Sequence, residues 1–167
     1  MNSLKTCLAS GVLSFGDDFD KVAEIVILFG PKVAKSQYCN WFDNPNSKDE
    51  RIFILSEEGG YGWRNEREFG SQLDVRHWNE VVSVKEYNEE TEKSIERIDD
   101  ELSHPIKRLV FWRESRYGVE WYKFYGVFSV DAEATRKTLD SETPCVVYRK
   151  IADQYEGLKA ATLRVAA

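Results

Sequence analysis

Histidine, cysteine and long apolar runs are what this chain has least of. Among 167 residues there are two histidines, three cysteines and one methionine. No apolar stretch approaches the ~20 residues that a membrane-spanning helix requires. His77 and His104 stand far apart and no Cys-x-x-Cys occurs, which excludes a zinc site of the usual spacing. Cys7, Cys39 and Cys145 are odd in number and widely separated, so they read as reduced thiols of a cytoplasmic protein and not as a disulfide framework. The N-terminal MNSLKTCLASGVLSF has no strong apolar region before the acidic GDDFD, so no signal peptide is expected. A Gly-x-Ser-x-Gly elbow is absent, and the glycines of GGYGW (59–63) precede arginine where a phosphate-cradling loop carries lysine. Glu120 and Lys123 are three apart, which on a strand sets them on opposite faces and breaks the acid-x-lysine pattern of metal nucleases. Asp17, Asp18 and Asp20 lack the spacing of a calcium loop and read as the capped start of a helix. Neither a metal, a cofactor nor catalysis is expected, which leaves recognition.

The recognition signal lies in Lys107–Val130, KRLVFWRESRYGVEWYKFYGVFSV. Eight aromatics alternate there with Lys107, Arg108, Arg113, Arg116 and Lys123, against Glu114 and Glu120, so the stretch carries +3 in a chain of net charge −6. Aromatics that stack on bases beside cations that meet phosphates are what a nucleic-acid surface needs. A hairpin whose aromatics fill a core and whose charges face water is the competing reading. The acidic excess is local: Lys85–Leu102 holds eight carboxylates and three cations, so the rest of the chain is close to neutral.

The pattern predicts a buried helix over 19–29, stopped by Gly30-Pro31. It further predicts a strand at 51–56, a glycine-rich loop at 57–70, a strand within 77–87 and a polar helix at 88–102. Strands at 107–114 and 120–130 follow, joined by a tight SRYGV turn, then a helix at 131–140 capped by Asp131. A strand at 145–151 and a terminal helix from 152 complete one α+β domain: five mainly antiparallel strands as a curled sheet or small barrel, with a helical segment at 1–48. Alternation places Tyr122, Phe124, Gly126 and Phe128 toward the core and Trp121, Lys123 and Tyr125 on a partly exposed face. Trp121, Lys123 and Tyr125 are thus the contact residues, with Arg108, Arg113 and Arg116 directed at phosphates. Trp63 and Arg64, with Tyr61, Asn65 and Arg67 nearby, form a second candidate set on the glycine-rich loop. Tyr38, Trp41 and Phe42 are expected to pack the first helix.

The order of parts over about 50–151 resembles the PUA-like superfamily, which includes the SRA-type readers of modified DNA bases found with restriction systems. The likeness is carried by RLVFW (108–112), by the Tyr122-x-Phe124-x-Gly126-x-Phe128 strand and by VVYRKI (146–151), with GGYGW and HWNEVVSV as upstream strands. It implies a barrel with an aromatic pocket able to hold a flipped base. Joined to the residue-level reading, this gives a cytoplasmic, non-catalytic nucleic-acid reader, DNA before RNA, in a microbial defence or restriction setting where an effector protein is a candidate partner. It offers no counterpart for 1–48. The rival from composition is a protein-interaction domain docking through the acidic helix 88–102.

Overall fold

The computed structural model describes residues 2–30, 40–70 and 80–158. The first half forms α1 (Leu4–Ser10), β1 (Leu13–Ser14), β2 (Asp18–Phe19), α2 (Val22–Phe29), β3 (Trp41–Asp43), β4 (Glu50–Leu55), β5 (Glu58–Gly60) and β6 (Trp63–Phe69). The second forms β7 (Val81–Asn88), α3 (Thr91–Ser103), β8 (Lys107–Arg116), β9 (Val119–Val130), α4 (Ala132–Thr138), β10 (Val146–Ala152) and β11 (Gln154–Tyr155). The class is α+β, as predicted. Two compact units divide the chain: one takes 1–55, 108–127 and 152 onward, the other 56–107 and 128–151. No helix among the described residues is long and apolar enough to cross a membrane.

In the first unit the strand order is β3-β4-β8-β9, with β2 on β9 and β1 paired to β11. The β1–β11, β2–β9 and β3–β4 pairs are antiparallel, with Leu13 opposite Tyr155, Phe19 opposite Tyr122 and Phe42 opposite Ile52. Alternation brings Leu109, Phe111, Tyr122 and Phe124 into one core with Phe19, Ile25, Leu28 and Phe29. Phe111 meets Phe124 at 5.0 Å and Phe19 at 5.7 Å, tilted and edge-on. Burying each such ring stabilises the fold by roughly 1.5–3 kcal/mol. Tyr155 is held inside by polar partners: it donates to Glu50 at 2.7 Å and receives from Asn44 at 3.0 Å. Burial, then the bond to Glu50, raises the Tyr155 phenol far above its usual range. Burial likewise pushes the Cys7 thiol up to about 12, reinforced by the Asp17 carboxylate it touches at 3.3 Å.

The second unit orders β5-β6-β7-β10, with each neighbouring pair antiparallel. Ile98 on α3 is fully buried, and Arg97 of the same helix meets Glu86 of β7 at 3.0 Å. Tyr148 of β10 donates to the same carboxylate at 3.2 Å. Asp131 caps α4, accepting from the Ala134 N–H at 3.0 Å as predicted, and also meets Arg149 at 2.8 Å.

The differences from the sequence reading have local causes. Among the described residues there are eleven strands, seven in the first unit and four in the second, where five in all were predicted. Among the described residues neither series closes into a barrel, since β3 and β5 each have one neighbour. The stretch 57–70 is a hairpin, not a loop. The helix predicted over 19–29 is α2 and begins at Val22, because Asp18–Phe19 pairs with β9 and the Glu24 carboxylate takes over the cap by accepting from the N–H groups of Asp20 and Lys21. Gln154–Tyr155 is a strand where a helix was expected, and 159–163 lie outside the described residues, as do Tyr38, Cys39, His77 and Trp78.

Candidate nucleic-acid interface

The β5–β6 hairpin of the second unit owes its shape to its glycines. Gly60, Tyr61 and Gly62 all take positive φ, at +81°, +55° and +87°. A Cβ on Gly59 would stand 3.2 Å from that of Trp63, so the two strands close tightly there. Trp63 then lies half-buried with the Arg97 guanidinium 4.4 Å over its ring. Arg64 pairs with Glu89 at 2.5 Å.

Asn65 is the unusual residue. Its side chain is 4% exposed, and its Nδ2 donates to the Ser56 carbonyl at 3.0 Å. That acceptor fixes which way the amide faces, since the opposite orientation would set two oxygens together. The Oδ1 atom is left buried with no hydrogen-bond partner. An orphaned buried acceptor costs about 1–3 kcal/mol, and native folds rarely keep one without use. Asn65 forms part of the wall of a pocket of about 460 Å³, with Arg64, Arg67, Phe69 and Tyr87 around it. The Arg67 guanidinium lies 5.5 Å from the Phe69 ring and 3.8 Å from Glu57. Tyr87 donates to Glu66 at 3.1 Å, and burial followed by that bond raises its phenol. Glu66 and Tyr87 also line a second pocket of about 400 Å³ with Lys85, Lys137, Thr143 and Cys145. In this groove Lys85 is held by Glu68 at 2.9 Å.

The hairpin residues singled out by sequence belong to the first unit. Tyr125 is 3% exposed, stacked on Trp112 at 6.0 Å and facing Phe15 at 6.5 Å, with its hydroxyl on Glu114. The partly exposed face expected for it is therefore closed, because both sides of β9 are covered from Phe124 to Phe128. Lys123 is half-buried with its Nζ 5.4 Å from the Phe15 ring, and Trp121 is half-buried. Arg108, expected at the surface, is 1% exposed with its guanidinium 4.6 Å over Phe53. Arg113 and Arg116 are exposed as predicted, the first 5.7 Å from the Tyr122 ring. Trp63 and Arg64 fall in the second unit, together with Asn65 and Arg67.

These features sit in a recognised family. A family model for the SET and RING associated (SRA) domain matches residues 6–156, so the chain belongs to that family. The match starts inside α1, so the N-terminal segment for which the sequence offered no counterpart is part of the domain. Among solved structures, the chain is similar to the 5-hydroxymethylcytosine-specific restriction enzyme AbaSI, with a TM-score of 0.67 at 15% identity. The alignment covers 91% of this chain and 44% of that enzyme's chain. At this identity the likeness speaks for the fold. A search of curated proteins by sequence finds no match.

Proposed function

We propose that this domain is a cytoplasmic DNA-binding module that reads a modified cytosine-type base in a restriction system. Family membership supports a modified-base reader, and the structural neighbour supports the restriction context and a 5-substituted cytosine. The observation that carries the finer reading is the orphaned Oδ1 of Asn65 beside a pocket of about 460 Å³. An acceptor asks for a donor. Cytosine offers its exocyclic amine, whereas thymine places a carbonyl at the same position, so Asn65 favours the first by supplying the missing bond and disfavours the second by setting two acceptors together. Phe69 and Tyr87 offer ring surface, and Arg64 and Arg67 supply charge for flanking phosphates.

Cleavage is not assigned to this chain. The domain spans less than half of the enzyme it resembles, and a nuclease supplied by a further segment or an effector chain completes the reading. Incubation of this chain alone with modified DNA and divalent metal is expected to leave the DNA intact.

Fluorescence anisotropy with labelled duplexes carrying one cytosine, 5-methylcytosine, 5-hydroxymethylcytosine or thymine tests the proposal. A modified cytosine should bind best, and Asn65→Leu should cut that preference by roughly five- to a hundredfold, the worth of one buried hydrogen bond. Melting curves of the variant control for folding. The reading is sunk if the folded wild type binds no duplex at low salt, or if it binds all four equally and Asn65→Leu changes nothing.

A further inference from the structure

The β8–β9 hairpin closes on two residues, Tyr117 and Gly118, whose φ angles of +53° and +77° are the left-handed pair of a type I′ turn. Glycine takes such a place at no cost. Tyrosine does not, because its Cβ crowds the backbone there. Asparagine, aspartate or glycine is the inexpensive choice at the first position of this turn. Here a large aromatic occupies it and is 92% exposed, so burial gives it nothing back. A strained residue that adds nothing to the core points to a position kept for contact with something else.

The surroundings identify the partner. Arg113, Ser115, Arg116 and Val119 are exposed, and a Cβ added at Gly118 would meet no atom within 4 Å, so the tip stands clear of its unit. The Arg116 guanidinium lies 5.4 Å from the Tyr117 ring, over one face, and leaves the other face open. A ring held by a stiff two-residue turn beside Arg116, with Arg113 exposed further back on the same strand, is prepared to stack on a base while the cations meet phosphates.

We propose that Tyr117 is a base-stacking contact of the DNA reader, flanked by phosphate contacts from Arg113 and Arg116. This rests on the DNA-binding reading above, though not on the pocket at Asn65, which belongs to the other unit. It moves the stacking role of the hairpin from Tyr125 and Trp121 to its tip.

Tyr117→Asn gives the structural and functional roles opposite signs. Asparagine suits the left-handed conformation, so the melting temperature should hold or rise. Affinity for a labelled duplex should fall by roughly five- to a hundredfold, the equivalent of one base–aromatic stack. Tyr117→Trp should retain affinity. A wild type that binds while Tyr117→Asn binds equally well overturns this inference and leaves the DNA-binding reading in place. A wild type that binds no duplex overturns both.

Discussion

Gly62, at φ +87°, is a residue whose side chain is its absence. A Cβ there would stand 3.0 Å from Asn88 Oδ1. Asn88 cannot retreat freely, because the same Oδ1 accepts from the Glu90 N–H at 2.8 Å while its Nδ2 donates to the Tyr61 carbonyl at 3.2 Å. Gly62→Ala should therefore lower stability by about 1–3 kcal/mol through backbone strain and displaced bonds, seen as a lower midpoint in urea unfolding with an unchanged slope. Single residues were also where sequence was least informative. β6 alternates Trp63, Asn65, Arg67 and Phe69 against the charged Arg64, Glu66 and Glu68, so alternation marks the face, but on that face the aromatics and not an asparagine are the residues expected inside. Arg108 was misplaced for the converse reason: arginine is seldom interior, and only the contact with Phe53 shows that its stem and head are enclosed.

At the scale of elements, local chemistry was a good guide where one residue decides the outcome. Asp131 caps α4 because its short carboxylate reaches the Ala134 N–H, and this is legible from an aspartate ahead of a helix-forming run. That bond, followed by the Arg149 pair, holds the Asp131 carboxyl below its usual range. A depressed carboxylate contributes stability above its unfolded pKa, and this is lost as pH falls through the folded value. Asp131→Ala should thus cost about 1 kcal/mol at neutral pH. The gap between wild type and variant should close on acidification below the ordinary carboxylate range, measured by urea midpoints across a pH series. The hairpin β8–β9 and helix α3 were equally readable, from the Tyr-Gly turn and from Ile98 on a polar helix. Two-residue strands were not. β2 and β11 are strands because β9 and β1 lie beside them, a pairing over long sequence separation that no local window contains.

For the molecule as a whole, the sequence supported the family resemblance over its middle and later parts but gave no sign that the chain is shared between two interleaved units. That partition comes from pairings such as Leu13 with Tyr155, which composition cannot report. It predicts the effect of a cut. Ending the chain after Ile151 removes Tyr155, which fills the first core and hydrogen-bonds Glu50 and Asn44. The truncated protein should lose the cooperative unfolding of the first unit and expose apolar surface, measured by urea unfolding and by binding of a hydrophobic dye. A truncation that unfolds as sharply as the full chain would show that β11 is dispensable.

The same interleaving bears on how the protein is made. The first unit draws on residues near the beginning, the middle and the end of the chain. At about 5–20 residues per second, a ribosome needs roughly ten to thirty seconds to make a stretch of this length. Through most of that time Phe19, Phe29 and Ile52 are already synthesised while Tyr155 is not. A core of this kind cannot close until the strand that holds Tyr155 has been made, so the nascent chain before that point is the form most open to aggregation and to chaperone capture.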